Sequence, residues 1–320
     1  MKINKRVQFL LFFLLLLLCF WNIVTDTPKE TEKRYNISVV IRGKMDDSWS
    51  NLKKGAENAA EDLGVNLRFV AAIEGNTAEE QIELLKAEAD GTDAIVISPV
   101  NRVLLKESVL ELQKAKKPVI LIESGISGEN SIPIIQCDNE ALGQSLAKNV
   151  INHGIRNKKI LILSGNAMCS SVTDRQKSFM KAMEETENEC FLVSTGKFEW
   201  QDIYVLLKER EPDVAVALDT KILENLVKAN KRYAKEKPEK KIPVYGVGCS
   251  STVLQDLENR DIVTIAVEDD FSIGYLGVQE AVKAIEKKEA TSNESIRYIL
   301  TNSELMYNDV NQKLLFPFVK

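Results

Sequence analysis

Residues 36–67 read NISVVIRGKMDDSWSNLKKGAENAAEDLGVNL. The first six are short and β-branched, the pattern of a strand buried on both faces. Residues 48–63 then place Trp49, Leu52, Ala56, Ala59, Ala60 and Leu63 on one helical face. Gly64 follows, where a helix end favours a left-handed residue. Residues 67–71 are apolar and β-prone again. A strand, a loop, a helix and a second strand within 36 residues predict a parallel βαβ unit.

The same rhythm continues outward. Thr77, with Glu80 three residues on, predicts a capping box for a helix through Ile82, Leu85 and Ala89. Strands are expected at 94–98, 119–122 and 132–137, with a helix at 103–115. Further on, helices are expected at 142–151, 174–185, 203–209, 222–234, 252–258 and 273–287. Strands at 159–163, 191–194, 214–218, 244–247 and 262–267 separate them. Two consecutive series of this kind predict an α/β protein of two doubly wound parallel-sheet domains. Ligands of such sheets sit at the carboxyl ends of the strands, so the natural site is the interdomain cleft between two such edges.

Before residue 36 the chain changes character. Lys2, Lys5 and Arg6 precede residues 7–24, an apolar run broken only by Gln8, Cys19 and Asn22. Eighteen such residues can cross a bilayer core. The basic lead and the acids Asp26, Glu30 and Glu32 orient it with the body outside the cytoplasm. An uncleaved anchor is favoured over lipidation at Cys19, where Leu18 is a poor preceding residue, and over cleavage, where no A-x-A pattern occurs. The expectation is a signal or transmembrane anchor at 1–24, a tether at 25–35, and a location at the cell membrane with the body on the extracytoplasmic side.

Composition limits the chemistry. The chain of 320 residues has a net charge of −5, which argues against a nucleic-acid partner. It has one histidine, His153, so catalytic or metal sets needing two are excluded. No G-x-G-x-x-G, P-loop, G-x-S-x-G or H-E-x-x-H motif occurs. No nucleophile has an identifiable base, so neither an enzyme, a cofactor nor a bound metal is expected. The cysteines form no C-x-x-C pair and read as small buried hydrophobes.

Several segments in this order carry a resemblance: 37–67, GTDAIVISPVN (91–101), KPVILIES (117–124), CDNEALGQSLAKNVI (137–151) and TIAVEDDFSIGYLGVQEAVKAI (264–285). They resemble the type I periplasmic binding proteins, in particular the ribose/galactose-binding branch. The resemblance covers about 36–319 and implies chain crossings near Asp138, Asp269 and Asn302. It implies a first domain of 36–137 plus 271–301 and a second of 138–270 plus 302–320. Members close at a hinge on a small ligand, usually a sugar, and present it to an ABC importer permease or to a receptor such as a histidine kinase.

The resemblance also implies ligand positions. These fall on Asp46, Ser48 and Trp49 in the first loop, Glu123 and Ser124 after the fourth strand, Thr173 in the loop before a second-domain helix, and Arg175 on that helix. The remainder are Trp200, Asp219, Gly248 and Glu268. Trp49 keeps an aromatic face suited to a sugar ring. The family's arginine after the fourth strand is replaced by Ser124, and the cleft gains acids: Asp46, Asp47, Glu123, Asp219 and Glu268. Unpaired buried carboxylates are costly. That leaves two alternatives: a sugar-like ligand, or a module that has lost sugar binding or takes a cationic ligand.

Overall fold

The computed structural model describes residues 34–73, 77–129, 131–194, 199–288 and 296–317. Residues 1–33, which hold the expected anchor and most of the tether, lie outside the described residues. Among the described residues no helix is long and apolar enough to cross a membrane.

The first sheet has the order β2-β1-β3-β4-β5 and is parallel throughout: β1 (Asn36–Val40), β2 (Asn66–Val70), β3 (Ala94–Ile97), β4 (Val119–Ile122) and β5 (Ile134–Ile135). Every residue of β3 (AIVI) and β4 (VILI) is buried, as a sheet covered by helices on both faces requires. Helices α1 (Ser50–Leu63), α2 (Ala78–Ala89) and α3 (Lys106–Lys114) alternate with these strands.

The second sheet has the order β11-β10-β9-β8-β6-β7. Its strands are β6 (Lys159–Ser164), β7 (Glu189–Ser194), β8 (Val214–Ala217), β9 (Val244–Val247), β10 (Thr264–Glu268) and β11 (Tyr298–Thr301). Its helices are α4 (Asn139–Asn152), α5 (Ser170–Glu184), α6 (Trp200–Arg210), α7 (Thr220–Glu236) and α8 (Ser251–Glu258). Helix α9 (Asp270–Ile285) returns to the first sheet, packing on α1 and on β1, β3 and β4, and α10 (Asp309–Leu315) is last. The result is two parallel-sheet α/β domains, each with its own apolar core.

Several local expectations change. The second sheet is not purely parallel, because β11 pairs antiparallel with β10. That same pairing places 298–301 in the second sheet, although the expected boundary gave them to the first domain. An edge strand can run either way without a crossover helix. The helix expected from 103 starts at Lys106, because Asn101 Oδ1 accepts from the Val103 and Leu104 amides and holds a turn there. The strand expected at 132–137 shrinks to two residues, joined by a bridge between Cys137 and Ile296.

The chain passages between the sheets run side by side. Ile296 N–H donates to Gln136 O at 3.2 Å, and Asp269 N–H donates to Arg297 O at 3.1 Å. Arg297 Nε also donates to the buried Asp269 carboxylate at 2.9 Å.

Helices α1 and α9 cross closely because each offers a glycine. A Cβ on Gly55 would lie 2.0 Å from Phe271 O, and one on Gly274 2.0 Å from Leu52 O. Backbone cannot yield to that extent without the helices separating. Gly274→Val is expected to destabilise the fold by about 1–3 kcal/mol, or more if α9 is displaced. Urea unfolding of the two chains checks this, and an unchanged midpoint would refute the close-crossing argument.

Candidate functional site

The carboxyl ends of β1, β3 and β4 are neighbours in the first sheet, and each delivers a polar side chain. Arg42 follows β1, Ser98 follows β3 and Glu123 follows β4. Arg42 Nη1 donates to Glu123 Oε2 at 2.9 Å and to Ser98 Oγ at 2.8 Å, and Nη2 donates to Glu123 Oε1 at 3.3 Å. Ser98 Oγ also donates to Glu123 Oε2 at 2.6 Å. The side chains of Arg42 and Glu123 are only 17% and 10% exposed. Buried Trp49 lies against this pair, its ring centroid 5.3 Å from the guanidinium carbon. A guanidinium paired bidentately and set over an indole face is strongly held. Glu123 takes a positive φ of 59°, a left-handed conformation that is uncommon for a residue with a Cβ.

The second sheet contributes a matching set. Arg175, on α5, donates through Nε to Asn139 Oδ1 at 2.6 Å and through Nη2 to Glu268 at the end of β10. The pair is 3% and 9% exposed. Cys137 Sγ donates to the other Glu268 oxygen at 2.7 Å. Burial, and then Glu268, push the Cys137 thiol up, so it stays protonated as that donor role requires. Asp219 caps α7, accepting from the Ile222 amide at 3.1 Å and from the Gly165 amide at 2.8 Å. Burial pushes its carboxyl up, and those two amides pull it part of the way back.

The two sets act on each other. Burial alone would lower the Arg42 pKa, but Glu123 first, and then Glu268 and Asp219 from the other sheet, raise it on balance. Asp270, at the first turn of α9, is pushed well above the ordinary carboxylate range by burial and then by Glu268 and Glu123.

The two domains touch directly. A segment at 166–171 of the second meets the strand-end loops of the first. Arg102 N–H donates to Met168 O at 3.0 Å, and Asn166 Nδ2 to Val100 O at 2.8 Å. Gly125 N–H donates to Ser170 Oγ at 2.8 Å, and the Ser124 and Ser171 hydroxyls are 2.8 Å apart. Ser251 N–H donates to Asp47 Oδ2 at 2.5 Å.

Of the expected site residues, Trp49 and Glu123 share the Arg42 centre, Arg175 and Glu268 form the second pair, and Asp219 acts on Arg42 from α7. Ser124 lies at the domain contact. Asp46 is exposed and is taken up by its own turn, accepting from Ser48 N–H at 3.1 Å and Ser48 Oγ at 2.5 Å. Thr173 Oγ1 donates to Ala167 O and Cys169 O, so it secures its own helix start. Gly248 has a φ of 136°, and a Cβ there would lie 2.2 Å from Thr220 Oγ1. Trp200 lines a groove of about 610 Å³ between α6, α7 and α8, and Lys228 Nζ lies 5.1 Å from its ring centroid. Arg42, Ser98, Asn139 and Asp270 are absent from the expected set. For Arg42 the available signal was its place as the second residue after a strand buried over its last four residues, where ligand contacts of such sheets occur. Among the described residues no group of His, Cys, Asp or Glu is arranged to hold a metal ion.

A sequence model of the family described as periplasmic binding protein domain matches residues 37–289, and the chain belongs to that family. A similar curated protein is the ribose import binding protein RbsB of Salmonella typhimurium, 26% identical over 147 residues, which are 46% of this chain and 49% of the relative. The chain thus spans about half the length of the curated relatives it matches. Among solved structures, a carbohydrate transporter solute-binding protein from Agrobacterium radiobacter in complex with D-arabinose superposes with a TM-score of 0.79 at 19% identity. That match covers 89% of this chain and 100% of the other. The XylFII–LytSN complex gives a TM-score of 0.75 at 15% identity over 85% of this chain and 98% of the other.

Two predictions test the charge arrangement. Arg175→Ala strands buried Glu268 and is expected to cost about 3–5 kcal/mol in urea unfolding, whereas replacing both partners by apolar residues of similar volume should cost much less. Asp270 has a folded-state pKa above its ordinary 3.8, so the unfolded chain gains from ionisation first. Its penalty is absent below that value, grows as pH rises through it, and levels off above the folded pKa. Asp270→Asn should therefore match the parent in acid and become progressively more stable than it towards neutral pH. A constant difference across that range would contradict the assignment.

Proposed function

We propose that this member of the periplasmic binding protein domain family is an extracytoplasmic solute-binding protein, held at the cell membrane by residues 1–24. It takes a carbohydrate or related small polar molecule between its domains. It then passes that molecule, or the signal of its binding, to a membrane partner. The observation that carries this reading is the convergence of polar strand-end side chains from both sheets, beside an aromatic face at Trp49. Ligands of open α/β sheets bind there, and the closed pair of domains is the form a partner would read. The domain boundaries near Asp138 and Asp269 serve as the hinge.

The ribose import and D-arabinose-bound relatives support a sugar and an ABC importer permease. The XylFII–LytSN complex, an assembly with a second protein, supports a sensory partner such as a histidine kinase.

The alternative is a module that has lost sugar binding or takes a cationic ligand. One observation favours the first half of it and weakens the second: Glu123 and Glu268 are already occupied by Arg42 and Arg175.

Thermal unfolding of the full chain against D-ribose, D-arabinose, D-galactose, glucosamine and spermidine tests the reading. A ligand at 100 times its dissociation constant adds about 2.7 kcal/mol, a rise of several degrees for a protein of this size. A rise with a neutral sugar is expected. A rise with the two amines alone would replace the sugar reading with the cationic one.

A further inference from the structure

We infer that Arg42 is a tethered occupant of the ligand seat: its guanidinium fills the recess between Trp49, Ser98 and Glu123, and a solute enters only by displacing it. The inference rests on the proposed function for the location of the cleft alone.

The geometry has the form of a bound polar ligand. Both Glu123 oxygens are engaged by the guanidinium, at 2.9 and 3.3 Å, and Ser98 Oγ accepts from the same Nη1 that meets Glu123. The Trp49 face that would stack on a ring is covered by a planar cation at 5.3 Å. From the second domain, Glu268 and Asp219 act on the same charge. Glu123, Ser98 and the Trp49 face are therefore all engaged by a group supplied by the chain itself.

A tethered group competes at a high effective concentration, on the order of millimolar or more for a short link. A solute's apparent affinity falls in proportion to the time the seat is free. Arg42 thus acts as a specificity filter. A neutral solute such as a sugar enters only where its hydroxyls donate to both Glu123 oxygens in place of the guanidinium, and a small guanidinium is the natural probe of the seat because it reproduces the displaced group.

The test is chemical rescue in the full chain. Arg42→Ser leaves Glu123 buried without its partner and should unfold at a lower temperature than the parent. Ethylguanidinium, at concentrations far below denaturing ones, should restore part of that loss, and at least ten times more of it is needed for any comparable shift in the parent. Where Arg42→Ser does not fold, the R42S/E123Q double variant, which removes the stranded carboxylate, carries the test. It should respond to neutral ethylurea and no longer to ethylguanidinium.

Equal responses of parent and R42S to ethylguanidinium, or a double variant that still prefers the cation, would overturn the inference. So would a parent that binds a sugar tightly and loses it in R42S, since Arg42 would then be a contact of the ligand and not its substitute. Rescue by ethylguanidinium with no response of either chain to any sugar leaves the inference standing and removes the carbohydrate reading.

Discussion

A guanidinium held at the inner edge of a parallel sheet has to be paired, and the strand ends of both domains are arranged around two of them. Arg42 meets Glu123 and Ser98 from adjacent strands, and Arg175 meets Glu268 and Asn139. Taking one such charge out of water costs several kcal/mol even after relaxation, and only good geometry with further hydrogen bonds returns it. That requirement explains neighbouring features that otherwise look unrelated. Glu123 tolerates a left-handed backbone because its carboxylate is needed at that point. Cys137 keeps its proton because burial, and then Glu268, disfavour the thiolate, and the second Glu268 oxygen receives that donor.

The tight packing behind the site serves the same end. Arg42 and Glu123 follow strands whose inner residues are buried, and α9 is pressed against α1 through Gly55 and Gly274. Because α9 follows β10 after a single residue, the position of Glu268 and Asp270 is tied to that crossing. The distances in the charged centre are therefore set by residues on helices or within two positions of strand and helix ends. Asp46 and Ser48 stand apart, with interactions that stay within their own turn.

Much of the architecture was legible along the chain, because buried strands such as AIVI and VILI and helices closed by Gly64 or opened by Thr77 are local patterns. The antiparallel β11 was not, since an edge strand carries no crossover pattern to give its direction. At the site, strand-end positions such as Glu123 and Glu268 were legible, but their partners were not. They read as an unpaired acidic cluster because the partners lie far away in sequence: Arg42 is 81 residues from Glu123, and Arg175 is 93 from Glu268. A lone arginine after a strand looks like a solvated surface group until the sheet places it beside β4. Trp200 is a related case. Its position at the start of α6 is local, but the groove it lines is built by α7 and α8.

How readily the domains part follows from where each charge finds its partner. Arg42 and Glu123 belong to the same sheet, so separating the domains leaves that pair intact. Opening instead breaks neutral contacts such as those of Arg102 with Met168, Asn166 with Val100 and Ser124 with Ser171. Each such bond contributes about 0.5–1.5 kcal/mol net, because water replaces the lost partner. Only the Asp47 contact with the Ser251 amide involves a charged side chain among these, and Asp47 is exposed. Opening is therefore inexpensive compared with breaking either guanidinium pair, which would leave a charge without its partner at about 3–5 kcal/mol. The domains can part with the Arg42–Glu123 pair intact, but the guanidinium then loses the support of Glu268 and Asp219 on the second domain, so opening loosens the seat and a solute displaces the tethered arginine more readily in the open form than in the closed one.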